Sequence, residues 1–247
     1  MVRPSPTPRA LRVRDATRDL HRFSNVLVVF PHPDDETVSC GGTIRRFADA
    51  GARITLVLLT GGERGTRSGT LDPELLAVRR REAEAAARIL GIADVIQEDF
   101  PDGQLVEHTP LTMTALASVI GRAEPDLIVT YDPAGLDGHP DHIACSQIVT
   151  AVARTHAPRV TLWYAALPAW ITSAFFVLGQ MRHDPDVEAR RCRPTHRMPV
   201  RSAASDKIRA WNVYASQRGN IRKGLGRLVP AWVAIRAWPY EYFAEPS

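Results

Sequence analysis

The chain has 247 residues, of which 45% are hydrophobic and 23% charged, with a formal net charge of +4 and a pI near 9.2. That is enough apolar material for one sizeable α/β domain, and it is neither a disordered nor a fibrous composition. Three cysteines without a CxxC pair exclude a disulfide framework and a Cys-rich structural zinc site, and suit a reducing cytoplasm.

The basic excess sits mainly near the ends, at Arg3, Arg9, Arg12, Arg14, Arg18 and Arg22, and again at Arg218, Arg222, Lys223 and Arg227. It reads as a solvated surface and not as a nucleic-acid footprint. The N-terminus lacks the apolar stretch of a signal peptide, so a cytoplasmic location is expected. The longest apolar region, residues 165–179, is broken by Pro168 and too short to span a bilayer. A buried helix or a wall beside the substrate is expected there.

Residues 1–22 read as a flexible tail, and residues 23–247 as a single domain. Residues 25–31 form a continuous apolar run, as in a strand buried on both faces. A helix is expected over residues 41–50, ended by Gly51, and a second buried strand over 53–60. A strong Ala/Glu/Arg-rich helix spans 73–90, stopped by Gly91, and a more polar strand spans 94–100. The alternation continues with a helix over 111–123, a strand over 126–131, a helix over 139–153 and a strand over 159–165. Beyond that the pattern weakens to one helix, 205–217, and an aromatic, basic C-terminal segment expected to close over the core or the site. Strands alternating with helices predict a three-layer Rossmann-like α/β fold, its mostly parallel sheet flanked by helices.

Ligands in such sheets bind at the carboxyl ends of strands, so chemical residues belong just after the apolar runs. His32-Pro33-Asp34-Asp35-Glu36 follows the first strand, and His139-Pro140-Asp141-His142 follows the fourth. Adjacent carboxylates beside an imidazole repel one another unless a cation is shared, and a divalent metal suits N and O donors. His32 and Asp35 are spaced to face one side of a turn, with Asp34 pointing elsewhere. His142 supplies a third donor, and three protein ligands with an open position mark a catalytic site. Helix capping by Asp141 or His139 is the competing reading of the second cluster.

The two motifs, with Gly41-Gly42 and Gly138 beside them, resemble the LmbE-like or PIG-L-like de-N-acetylases over residues 25–165, with a weaker echo at 207–217 and 240–243. The resemblance implies zinc on His32, Asp35 and His142, with iron(II) or another divalent ion able to fit the same donors. It further implies Asp34 as general base and His139 as the group that stabilises the oxyanion, preferably as imidazolium. Asp141 would orient His139 or tune its pKa. The substrate would be an N-acetylated amino sugar or glycoside, a small molecule, its N-acyl group hydrolysed by water. Arg64 and Arg67, in a Gly-rich loop, are candidates to clamp it, unless that loop is a mobile surface loop. Glu36 is expected to reinforce the first turn or touch substrate, and Tyr131 and Asp132 to line the pocket. Cys40 is expected to pack at the helix start and not to ligate. Phe175 and Phe176 suggest an apolar wall for a bulky aglycone.

Two other classes compete. A metal-dependent phosphoesterase fits the basic pI but usually needs more carboxylates than these clusters supply. An inert glycan-binding module would have no use for Asp34 and His139. Neither a nucleic-acid partner nor a transmembrane segment is expected, and a homo-oligomer stays open.

Overall fold

A computed structural model describes residues 13–65, 72–177, 184–217, 233 and 239–246. In chain order the first half contains β1 (Arg14–Asp15), β2 (Asn25–Phe30), α1 (Asp35–Asp49), β3 (Arg53–Thr60), α2 (Pro73–Leu90), β4 (Asp94–Phe100) and α3 (Thr109–Ala123). There follow β5 (Leu127–Tyr131), α4 (Gly135–Gly138), α5 (Pro140–His156), β6 (Thr161–Ala165), α6 (Ala169–Val177), α7 (Pro185–Arg190), β7 (His196–Pro199), α8 (Ala204–Val213) and β8 (Tyr240–Ala244).

The eight strands form one sheet in the order β1-β7-β8-β6-β5-β2-β3-β4. Only β8 runs antiparallel to its neighbours. Alternate residues of each central strand feed opposite cores. Val26, Val28 and Phe30 join Ile54, Leu56 and Leu58 under α1 and α2, whereas Leu27 and Val29 join Val57 and Leu59 under α3 and α5. This period of two, buried on both sides, is why β2 and β3 read as unbroken apolar runs. The flanking helices follow local rules: α2 starts with Pro73 behind Asp72, whose carboxylate accepts from the amides of Glu74 and Leu75, and it stops at Gly91 with φ +77°.

Three features differ from the sequence reading. The helix expected from residue 41 begins at Asp35, directly behind the first motif, and bends at Cys40 (φ −147°, ψ 20°). β1 pairs with β7, and Ala16, Leu20 and Phe23 enter the core, so residues assigned by composition to a tail pack against the sheet. The apolar region after β6 forms α6 on the surface, where Ile171 is buried but Trp170 and Val177 are exposed. The C-terminal segment supplies β8, wedged between β6 and β7, with Phe243 in the core. Among the described residues no helix is long and apolar enough to cross a membrane.

Candidate metal centre and its surroundings

β2 pairs with β3 on one side and β5 on the other, so the loops after β2 and β5 part at a switch point of the sheet. A crevice opens at such a point. Into it come His32 and Asp35 from β2–α1 and His142 from the first turn of α5.

His32 Nδ1 lies 3.3 Å from Asp35 Oδ2 and 3.3 Å from His142 Nε2, and His142 Nε2 lies 3.6 Å from Asp35 Oδ1. Donors on a tetrahedral zinc at ordinary bond lengths sit about 3.3 Å apart, and these pairwise contacts, which use both oxygens of Asp35, are of that size. Each imidazole is aimed by its other nitrogen. His142 Nδ1 is 3.1 Å from the Gly135 carbonyl and 2.9 Å from Asp137 Oδ1. His32 Nε2 is 3.1 Å from Asp102 Oδ1 and 3.3 Å from Asp141 Oδ2. Protons on those outer nitrogens leave the inner lone pairs facing one another. Tyr131 stacks on the His142 ring, centroids 4.4 Å apart.

Two other donor sets include His32: one with His139 and His142, the other with Asp102 and Asp141. Their members also take backbone hydrogen bonds, as Asp35 does from the His32 amide (2.9 Å). His139 Nδ1 accepts the Asp141 amide (3.2 Å), capping α5. Asp141 accepts from the Gly103 (2.6 Å) and Leu105 (3.1 Å) amides, and Asp102 from the Arg64 amide (2.8 Å).

Electrostatics match this geometry. Burial opposes a charged His32, but Asp102, Asp141 and Asp35 outweigh it and raise its pKa well above the usual value. The carboxylates around His32 thus favour positive charge at this place. Burial would raise Asp35, yet His142 and His32 hold it below the ordinary carboxylate range. Asp102 is likewise brought down to about 2 by the His32 hydrogen bond and charge against the pull of burial. Asp34 goes the other way: burial, with Asp35 and Glu36 adding to it, pushes it up to about 7 despite Arg79. Adjacent carboxylates are therefore driven apart, the pattern that separates a ligand from a base.

Several expected roles change in place. The Asp141 carboxylate touches His32, while its amide meets the His139 side chain that caps the helix. Burial and the charges of His32 and His142 lower His139 against Asp137 and Asp141, and because Nδ1 accepts the Asp141 amide, Nε2 is the nitrogen left to carry a proton and donate. Glu36 is fully buried and accepts from Tyr214 Oη (2.8 Å) and the Asp34 amide (3.2 Å), so it braces the motif and does not meet substrate. Tyr131 is buried and stacks on His142. Asp132 accepts from the Leu136 and Cys192 amides (both 3.1 Å) and pins the β5 loop. Cys40 is buried at the α1 bend and is a donor in none of the candidate metal clusters. Arg64 is exposed at the rim, while Arg67 lies outside the described residues. The sequence reading missed Asp102 and Arg79. Asp102 follows β4, so the strand-end rule could have found it; Arg79 lies inside an Arg-rich helix that looks solvated.

Fold and donor set together define an α/β protein with a candidate His/Asp metal centre at a sheet switch point. The sequence model of the GlcNAc-PI de-N-acetylase family, PIG-L, matches residues 27–153, and the chain belongs to that family. It is 38% identical to the diacetylchitobiose deacetylase of Thermococcus kodakarensis over 119 residues, 47% of this chain and 44% of that protein. It is 34% identical to the probable N-acetyl-α-D-glucosaminyl L-malate deacetylase 2 of Bacillus anthracis over 136 residues, 53% of this chain and 60% of that protein. The chain thus spans about half the length of these curated relatives. Among solved structures, N,N'-diacetylchitobiose deacetylase of Pyrococcus horikoshii shares the fold with a TM-score of 0.67 at 21% identity, covering 93% of this chain and 86% of that one.

Proposed function

We propose that this chain is a metal-dependent N-deacetylase that hydrolyses the acetamido group of an N-acetylglucosaminyl small molecule, with zinc as the metal. One observation carries the reading: His32, Asp35 and His142 bring donor atoms within 3.3 to 3.6 Å of one another, while the neighbouring carboxylate, Asp34, turns to Arg79 and is tuned near neutrality. Both curated relatives are named for deacetylation of N-acetylglucosaminyl compounds that differ in what the sugar is attached to. That variation makes the acetamido sugar the shared element of the substrate.

His32, Asp35 and His142 would hold the cation. When bound, it supplies Lewis acidity and lowers the pKa of water toward neutrality. Asp34 accepts the proton of the attacking water, since a base with a pKa near the working pH is most effective. His139 presents Nε2–H to the developing oxyanion as a neutral donor. Asp34, now protonated, delivers its proton to the departing amine. Asp102 and Asp141 fix the ring of His32, as carboxylates behind a ligating histidine do. Arg64, with Arg67, is proposed to meet sugar hydroxyls or an anionic aglycone.

The test is metal-reconstituted protein incubated with N-acetylated amino sugars and their glycosides, N,N'-diacetylchitobiose included, reading free amine and acetate by mass spectrometry. Turnover that disappears on chelation, and in Asp34→Asn with metal retained, is expected. Release of phosphate from phosphate esters without any acetate release would replace this reading with the phosphoesterase one.

A further inference from the structure

Helix α2 carries Arg79, Arg80 and Arg81 in a row, which composition alone marks as a solvated face. Arg81 is exposed and Arg80 half-buried, but Arg79 turns in and is 3% exposed. Its guanidinium gathers two loops. Nη1 donates to the Gly62 carbonyl (2.8 Å), and Nη2 donates to the Pro33 carbonyl and lies 3.4 Å from Asp34 Oδ1. Residues 61–65, after β3, are shaped around this group. A Cβ at Gly62 or Gly65 would fall 2.5 or 2.4 Å from guanidinium atoms, and Gly62 has φ +63°.

Asp34 needs such support. It is a non-glycine residue at φ 108°, immediately before Asp35, and its side chain is close enough in sequence to compete for the same cation. Glu36 holds its amide from one side, leaving the carboxylate itself to Arg79. We propose that Arg79 is a positioning residue that keeps the Asp34 carboxylate out of the metal's coordination and turned toward the attacking water. This rests on the reading of Asp34 as base. Without the guanidinium the carboxylate is free to swing onto the cation and take the open position. A planar fork that satisfies two carbonyls and a carboxylate at once is a task for arginine and not for lysine.

The experiment uses the full chain as wild type, Arg79→Met, Arg79→Lys, Asp34→Asn and the double variant. Each is loaded with Co²⁺ for its visible spectrum, and with Zn²⁺ for kcat and KM on N,N'-diacetylchitobiose. Arg79→Met is expected to lower kcat about 100-fold with KM within about threefold, the size and signature of a misplaced base. Its cobalt spectrum should differ from wild type, and that difference should vanish in the double variant, which has no carboxylate to swing. On the Asp34→Asn background the same change should cost less than about twofold, because the two residues act as a unit. Arg79→Lys should show a smaller spectral change and recover part of kcat; it also serves as the probe if Arg79→Met does not fold. A cobalt spectrum identical to wild type in the folded variant, or a full additional loss on the Asp34→Asn background, overturns the proposal. Should the wild type release no acetate from any acetylated sugar, the deacetylase reading fails, and the spectra still decide the role of Arg79.

Discussion

Replacing Glu241 by alanine tests how the C-terminal strand is coupled to the helix that carries Asp35. Glu241 lies on β8 with its side chain 4% exposed, and its Oε1 is 2.6 Å from Lys207 Nζ, itself 11% exposed. The bend at Cys40 interrupts the hydrogen-bond ladder of α1. Glu241 supplies acceptors there, taking the Gly42 amide (2.9 Å), the Thr43 amide (2.7 Å) and the Thr43 hydroxyl. Lys207 donates on to the Val38 carbonyl (2.9 Å), holding the turn before the bend. Truncation therefore leaves a buried ammonium with no counter-charge and two helix amides with no acceptor. Breaking a buried pair from one side costs about 3–5 kcal/mol, a large share of the roughly 5–15 kcal/mol that holds a domain folded. In a chain of this size that corresponds to a fall in Tm of about 6–20 °C. Urea denaturation followed by circular dichroism reads the loss directly. The double variant Lys207→Met with Glu241→Gln should recover part of it, because it removes the orphaned charge and keeps one acceptor oxygen for one of the two amides. A loss below about 1 kcal/mol in Glu241→Ala would refute the reasoning, since a surface pair costs no more than that.

Asp34 makes stability depend on pH in the metal-free protein. Its folded pKa, about 7, is raised above the ordinary 3.8, so its contribution is present at pH 4 and is lost as pH rises through 7. Asp34→Asn should therefore raise the Tm of metal-free protein at pH 8 and leave it nearly unchanged at pH 4; equal shifts at both pH values would contradict this. His139→Asn keeps a good helix cap for α5 but loses the Nε2 donor, so kcat should fall about 100- to 1,000-fold with Tm and metal content retained. A parallel fall in Tm would show that the imidazole acts as a cap alone. Gly42→Ala would put a Cβ 2.6 Å from Val200 Cβ, and such overpacking costs about 1–3 kcal/mol. Val200→Ala in the same chain should restore stability, as thermal denaturation can check.

The parts of this molecule that the sequence determines are those set by short-range physics. β2, β3 and β5 are legible because residues buried on both faces must be apolar without interruption, and the ends of α2 are legible because Asp72, Pro73 and Gly91 satisfy local backbone demands. His32 and Asp35 stand out because they directly follow β2, and His142 because it opens the helix after β5; parallel strands present the loops that follow them at one edge. Tertiary structure alone decides what fills the space around them. β1, β7 and β8 are two to five residues long and pair with segments far away in the chain, so no local period marks them. The Asp141 carboxylate reaches His32 as well as acting on His139 through its charge, because the loop after β4 folds across and fixes that carboxylate with the Gly103 and Leu105 amides. Arg79 and Glu241 are charged residues in polar stretches, where a sequence predicts solvent. Their burial follows from partners 45 and 198 residues away, Asp34 and Thr43, and only a folded chain brings those charges and amides together.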